Sequence, residues 1–234
     1  MSNQKYFVVG DVHGEFERLK EILKHWKKDQ ERLVFVGDLA DRGPKSKDSF
    51  LLAKALVEEY QGIYVLGNHE ELFLRWLEHP NDMFDLYRRN GGEATINSLL
   101  DANLTSPVEV EAAADYIKTH YGDLIEFLKE RPRYVETEDY IFVHAGVNLD
   151  LDDWRKSDPD EFIWIREAFH DAKNTSGKAI VFGHTPIQYL PDNKGANHIW
   201  VSDQKIGIDG GAVFGGVLHG VVLSDKGIEV DYQA

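Results

Sequence analysis

The stretch Leu33-Val34-Phe35-Val36-Gly37-Asp38-Leu39-Ala40-Asp41-Arg42-Gly43-Pro44 decides how this chain is read. It opens as a short apolar run with the length and β-branched content of a buried strand. It then breaks into two carboxylates, an arginine and two glycines. Asp, Gly and Pro are ordinary turn chemistry, so one such stretch carries little weight. Its recurrence carries more. Lys5 to Val9 reads as a strand ending in Gly10-Asp11-Val12-His13-Gly14, and Gly62 to Leu66 as one ending in Gly67-Asn68-His69-Glu70. Between these strands apolar residues fall at helical spacing: Phe16, Leu19, Ile22 and Trp26, then Phe50, Ala53, Leu56 and Tyr60. Gly10, Gly37 and Gly67 stand 27 and then 30 residues apart, which suits successive strand-helix-strand units of a parallel sheet.

Beyond Glu70 the pattern changes. From Glu71 to about Arg131 amphipathic segments follow one another, reading as a helical insertion within a single domain that spans residues 1–234. Tyr134 to Thr137 and Tyr140 to Val143 read as a hairpin whose second strand runs into His144-Ala145-Gly146. An acidic loop from Asn148 to Pro159 precedes a short helix, Phe162 to Phe169, that carries Trp164 and Arg166. Lys178 to Phe182 reads as a strand ending in Gly183-His184-Thr185. The tail reads as antiparallel strands at His198 to Ser202, Gly207-Ile208-Asp209, Val217 to Leu223 and Gly227 to Tyr232.

Composition narrows the function classes. With 41 acidic and 26 basic residues the net charge is −15, which disfavours capture of nucleic acid or an anionic membrane and suits divalent cations. There is no cysteine, hence no disulfide, no thiolate metal site and no cysteine nucleophile. No apolar run approaches a membrane span, and Met1 to Lys5 leaves no room for a signal peptide before the first strand; cytoplasm is the expected location.

Five apolar strands thus each end in a Gly, His, Asp or Asn cluster. Carboxyl ends of strands in open α/β sheets converge on the ligand crevice, so residues far apart in sequence should meet there. Carboxylate, imidazole and amide groups without sulfur suit manganese, iron or zinc.

These motifs, in this order, resemble the phosphoprotein phosphatase family of metallophosphoesterases over nearly the whole chain, and most of all its compact bacterial and phage (lambda-type) serine/threonine phosphatases. Asn90-Gly91-Gly92 and Trp164-Ile165-Arg166 also resemble that branch. The resemblance implies an α/β fold, a calcineurin-like sandwich of two β-sheets flanked by helices, with the insertion at about 71–131. It implies two divalent metal ions, manganese first, with Asp11 and His13 on one, Asp38 bridging, and Asn68, His144 and His184 on the other. It also implies His69 as general acid, Asp41 as the carboxylate orienting it, and Arg42 and Arg166 as phosphate clamps. The implied reaction is hydrolysis of phosphoserine and phosphothreonine in proteins by a metal-bridging hydroxide, without a phosphoenzyme.

Two other readings stay open. Symmetrical diadenosine tetraphosphate hydrolases usually carry Gly-Asp-x-x-Ala-Arg-Gly and Gly-Asn-His-Asp, from which Asp41 and Glu70 depart; dinucleoside polyphosphates and smaller phosphorylated compounds are the alternative substrates. A non-catalytic phosphate-binding scaffold ranks last, since no motif residue is missing. The remaining conspicuous residues read plainly: His25, His79, His120, His170 and His198 as surface or packing, His219 as a sheet residue, Glu70 as a helix-start carboxylate, and Trp164 as packing under Arg166.

Overall fold

The computed structural model describes residues 4–101 and 109–234. Met1, Ser2 and Asn3, read above as leading into the first strand, lie outside the described residues, as does the 102–108 part of the expected insertion. Two five-stranded sheets face each other. In the first, β1 (Lys5–Val9), β2 (Glu31–Phe35) and β3 (Ile63–Tyr64) run parallel, while β9 (His219–Ser224) and β10 (Gly227–Gln233) add antiparallel strands in the order β10-β9-β1-β2-β3. The second has the order β4-β5-β6-β8-β7, from β4 (Tyr134–Glu136), β5 (Tyr140–Val143), β6 (Ala179–Phe182), β7 (Trp200–Ser202) and β8 (Lys205–Gly207). Its middle strands β5, β6 and β8 are again parallel.

Side-chain alternation along the strands builds the layers. Tyr6, Val8, Val34 and Val36 point to the other sheet and meet Phe142, Val181 and Ile206 in a core that also holds Val221 and Leu223. Their neighbours Phe7, Val9, Leu33 and Phe35 point outward into a second core covered by helices. That cover consists of α1 (Phe16–Leu23), α2 (Ser46–Tyr60) and the expected insertion, which comprises α3 (Asn68–Glu78), α4 (Pro80–Arg89), α5 (Gly92–Leu100), α6 (Val110–His120) and α7 (Gly122–Lys129). A third cluster, with Val143, Trp154, Phe169, Phe182 and Trp200, covers the far face of the second sheet. Among the described residues no helix is long and apolar enough to cross a membrane.

Two sequence expectations need correction. The Phe162–Phe169 helix is two short ones, α8 (Glu161–Trp164) and α9 (Glu167–His170), broken at Ile165-Arg166. The segment expected as a strand at Gly207-Ile208-Asp209 is β8, two residues earlier; it pairs antiparallel with β7, as expected, and also parallel with β6. Ile208 still enters the inter-sheet core, but Asp209 lies beyond the strand end. Asn68 and His69 open α3, shortly after the end of β3.

Candidate active site

The parallel strands of both sheets deliver their carboxyl ends to one place. Asp11, His13, Asp38, Asp41, Asn68, His69, His144 and His184 are all buried. Asp38 is at the centre: one carboxylate oxygen lies 3.6 Å from His13 Nε2, 3.3 Å from His144 Nε2 and 3.9 Å from His69 Nε2. Asn68 Oδ1 is 2.9 Å from both His144 Nε2 and His184 Nδ1. Asp11 Oδ2 accepts the backbone N–H of His184 at 2.9 Å.

The backbone is bent hard to achieve this. Of ten non-glycine residues with positive φ among the described residues, five are His13, Asp38, Asp41, Arg42 and His184. Left-handed backbone costs an L-residue roughly 1–2 kcal/mol, so strain is concentrated where the candidate ligands turn inward. Glycine supplies the remaining room: Gly37 has φ +99°, and a Cβ there would meet Gly67 at 2.7 Å and His144 Nδ1 at 2.8 Å.

Glu70 staples the two turns together. Its carboxylate accepts the N–H groups of Asp38 and Leu39 at 2.8 Å and of Gly67 at 2.9 Å, and the Tyr64 hydroxyl at 3.0 Å. It is wholly buried, so it is more than the helix-start carboxylate expected from sequence.

Electrostatics at the centre are uneven. Burial alone would raise the Asp38 carboxyl, but the surrounding His144, His69 and His13 outweigh it and hold it well below the usual carboxylate range. Burial works against the charged form of His144 too, yet Asp38 pulls that ring up to about 9. Burial, then the neighbouring His69, pushes His13 well down; burial, then His144 and Arg166, does the same to His184. Asp11 is pushed up by burial and by repulsion from Asp209 and Asp38.

Two trios of side chains, His13 with Asp38 and His69, and Asp38 with His144 and His184, bring candidate ligand atoms within 4.8 Å of one another. Asp38 belongs to both, as a bridging ligand must. His69 stands in the first trio, where the resemblance had placed Asp11. The donors fit divalent cations on three counts. His13 Nδ1 is turned to the Ala40 carbonyl at 2.7 Å and His144 Nδ1 to that of Val36 at 2.8 Å, which aims Nε2 of each ring inward. Asp11 Oδ1 and His184 Nε2 are buried with no hydrogen-bond partner. The set is oxygen and nitrogen only, as hard and borderline metals prefer.

Around these groups stand the other expected residues. His69 Nδ1 meets Asp41 Oδ2 at 2.7 Å. The Arg42 guanidinium donates to the His13 ring and stacks 5.3 Å from the centre of the Phe214 ring. Arg166, at the break between α8 and α9, donates to Thr185 Oγ1 at 2.7 Å and the His184 carbonyl at 3.3 Å. Trp164 sets its ring edge-on to His184 at 5.8 Å and is 40% exposed, so it borders the site.

Asp209 is the residue the sequence reading missed. Buried, and held by the Gly211 N–H at 2.9 Å, it is raised to about 6 by burial and by Asp38. The signal was present: Ile206-Gly207-Ile208-Asp209-Gly210-Gly211 repeats the design of an apolar strand ending in Asp and Gly.

Comparison with known proteins agrees with this geometry. The family model of the calcineurin-like phosphoesterases matches residues 5–216. The chain is 32% identical to serine/threonine-protein phosphatase 1 of Salmonella typhimurium, over 91% of this chain and 88% of that protein. It is 28% identical to the asymmetrical bis(5'-nucleosyl)-tetraphosphatase PrpE of Anoxybacillus flavithermus, with the same shares covered. In fold it is similar to the cold-active protein-tyrosine phosphatase of a Shewanella species (TM-score 0.62, 15% identity, 99% of this chain and 80% of that one). Two sheets whose strand ends collect histidine, aspartate and asparagine around one shared carboxylate, together with a family match over most of the length, have one reading: this chain belongs to the calcineurin-like phosphoesterases and is a metallophosphatase.

Proposed function

We propose that the enzyme hydrolyses phosphoserine and phosphothreonine in proteins. The observation that carries this reading is the buried His69–Asp41 pair, 2.7 Å apart beside the ligand cluster. A serine or threonine alkoxide is a poor leaving group and needs a proton as it departs, whereas a nucleotide phosphate leaves without such help. A neighbouring carboxylate fixes the imidazole tautomer and its orientation, so that Nε2 is the nitrogen aimed away from Asp41. The relative named as a serine/threonine phosphatase, at 32% identity, supports the same substrate class.

Asp11 and His13 would hold one divalent cation, Asn68, His144 and His184 a second, and Asp38 both; manganese is the first candidate, with iron or zinc possible. Such a pair supplies positive charge opposite the phosphoryl oxygens and lowers the pKa of water near neutrality. The protein supplies the rest. Arg42 and Arg166 reach the remaining phosphoryl oxygens with guanidinium forks, which suit that geometry. His69 Nε2 delivers its proton to the leaving oxygen while Asp41 holds Nδ1.

The second reading is dinucleoside polyphosphate hydrolysis, favoured by relatives of the PrpE kind at 28% identity. Those relatives are named as asymmetrical enzymes, whereas the hydrolase motifs from which Asp41 and Glu70 depart are those of symmetrical cleavage. Glu70, one of the two departures from the hydrolase pattern, is walled into the backbone and touches no substrate space, so it weighs little on substrate choice. The deciding experiment compares kcat/KM for phosphoserine and phosphothreonine peptides with that for diadenosine tetraphosphate, with manganese supplied. Higher efficiency on the phosphopeptides is expected; the reverse order overturns the proposal.

A further inference from the structure

The helical insertion does more than cover the sheet. We propose that Tyr87 of α4 and Thr95 of α5 are positioning residues for the Asp41–His69 general acid; this rests on the reading of His69 given above. Asp41 and Arg42 form two consecutive left-handed residues, φ +69° and +68°, a conformation that persists only where the surroundings impose it. Here the insertion imposes it. Asp41 Oδ1 accepts the Tyr87 hydroxyl at 2.7 Å and the Thr95 hydroxyl at 2.5 Å, leaving Oδ2 for His69. The Asp41 backbone N–H donates to Thr95 Oγ1 at 2.8 Å, so one threonine grips both ends of the residue. The next N–H, of Arg42, donates to the Gly91 carbonyl at 3.0 Å, in the turn that joins α4 to α5.

The grip is rigid. Tyr87 and Thr95 are fully buried, and the Tyr87 ring stacks on Trp76 at 5.6 Å. Burial and the adjacent Asp41 raise the Tyr87 hydroxyl well above its usual value, so it remains a donor. With two donors fixed on Oδ1, the carboxylate has one orientation available, and Oδ2 is directed at the imidazole. Without them it can rotate, and His69 loses its fixed tautomer and angle. A simple packing role predicts something different: a loss of activity that is indifferent to the leaving group.

The test is a leaving-group comparison on Tyr87→Phe, Thr95→Val and Thr95→Ser, with His69→Asn alongside. Removing a general acid matters most where the departing oxygen is basic, so Tyr87→Phe and Thr95→Val should lower kcat about tenfold on a phosphoserine peptide and no more than about threefold on p-nitrophenyl phosphate. Thr95→Ser keeps the hydroxyl and should restore most of the difference. Combined with His69→Asn, neither substitution should add a further loss, because they act through the same group. Equal losses on both substrates for Tyr87→Phe and Thr95→Val, while His69→Asn discriminates, overturn the inference and leave the general acid standing. Equal losses for His69→Asn itself remove the general-acid reading, and this inference goes with it. Thr95→Ser and the buried, isosteric Tyr87→Phe guard against a result that reflects misfolding alone.

Discussion

Glu70→Gln is the substitution whose cost follows most directly from the structure. The two side chains have the same shape, so what changes is hydrogen bonding. Oε2 accepts Asp38 and Gly67 N–H; Oε1 accepts Leu39 N–H and the Tyr64 hydroxyl. A glutamine does best with its amide nitrogen at the Oε1 position, where the Tyr64 hydroxyl can turn round and accept. The buried Leu39 N–H then faces another donor and loses its partner. An unsatisfied buried donor costs roughly 1–3 kcal/mol, and the two remaining bonds weaken by about 1 kcal/mol each as the acceptor loses its charge. Part of this is returned, because burial and Asp38 raise the Glu70 carboxyl and make its charge expensive. The net loss should be about 2–3 kcal/mol. For a chain of this size that corresponds to a fall in Tm of roughly 5–10 °C. Thermal unfolding followed by circular dichroism, with chelator in both samples so that cation binding does not contribute, measures it directly. A Tm within about 2 °C of the parent would show that the staple does not hold these turns.

The other predictions concern the site and its pH response. His69→Asn should lower turnover on phosphoserine peptides by at least about a hundredfold, as loss of a general acid does, with bound metal per chain little changed. Loss of metal with normal activity per loaded molecule would move His69 into the ligand set. Asp38→Asn should deplete both cation positions together, seen as metal per chain by elemental analysis; selective loss of one ion would mean that Asp38 does not bridge. His170 is lowered to about 4, chiefly by burial, against an ordinary 6.5. Its folded pKa lies below its unfolded one, so the neutral ring's contribution is fully present above pH 6.5 and fades as pH falls toward 4. After allowance for solvent screening the loss is roughly 2 kcal/mol, and His170→Phe should flatten that part of a urea-midpoint profile between pH 7 and 4.5. An unchanged slope would exclude His170 as its source.

Much of this enzyme was legible without coordinates. Apolar runs broken by Gly-Asp, Gly-Asn-His and Gly-His gave the strands and their functional ends, because a buried strand must alternate its side chains and stop where charge begins. That strand-end groups should meet in one crevice followed from the strand pattern, while the two-sheet architecture and the set Asp11, His13, Asp38, Asn68, His144 and His184 came from the family resemblance that the motifs carry. Asp209 was missed because a two-residue shift of a three-residue strand decides whether it lies inside the sheet or beyond its end, and periodicity does not resolve so short an element. Glu70 was underrated for a related reason: a carboxylate at a helix start has an ordinary local explanation, while its bonds to Asp38 and Leu39 cross from another strand.

What the amino-acid order determined by itself, then, was local: which segments bury, where they end, and which chemical groups stand at those ends. Only the folded chain decided how these groups are held. His13, Asp38, Asp41, Arg42 and His184 take left-handed backbone that none of them prefers, and Tyr87 and Thr95 reach Asp41 across 46 and 54 residues of sequence. Such strain and such partners depend on distances through space, set by packing helices on a sheet, and no window along the chain contains them.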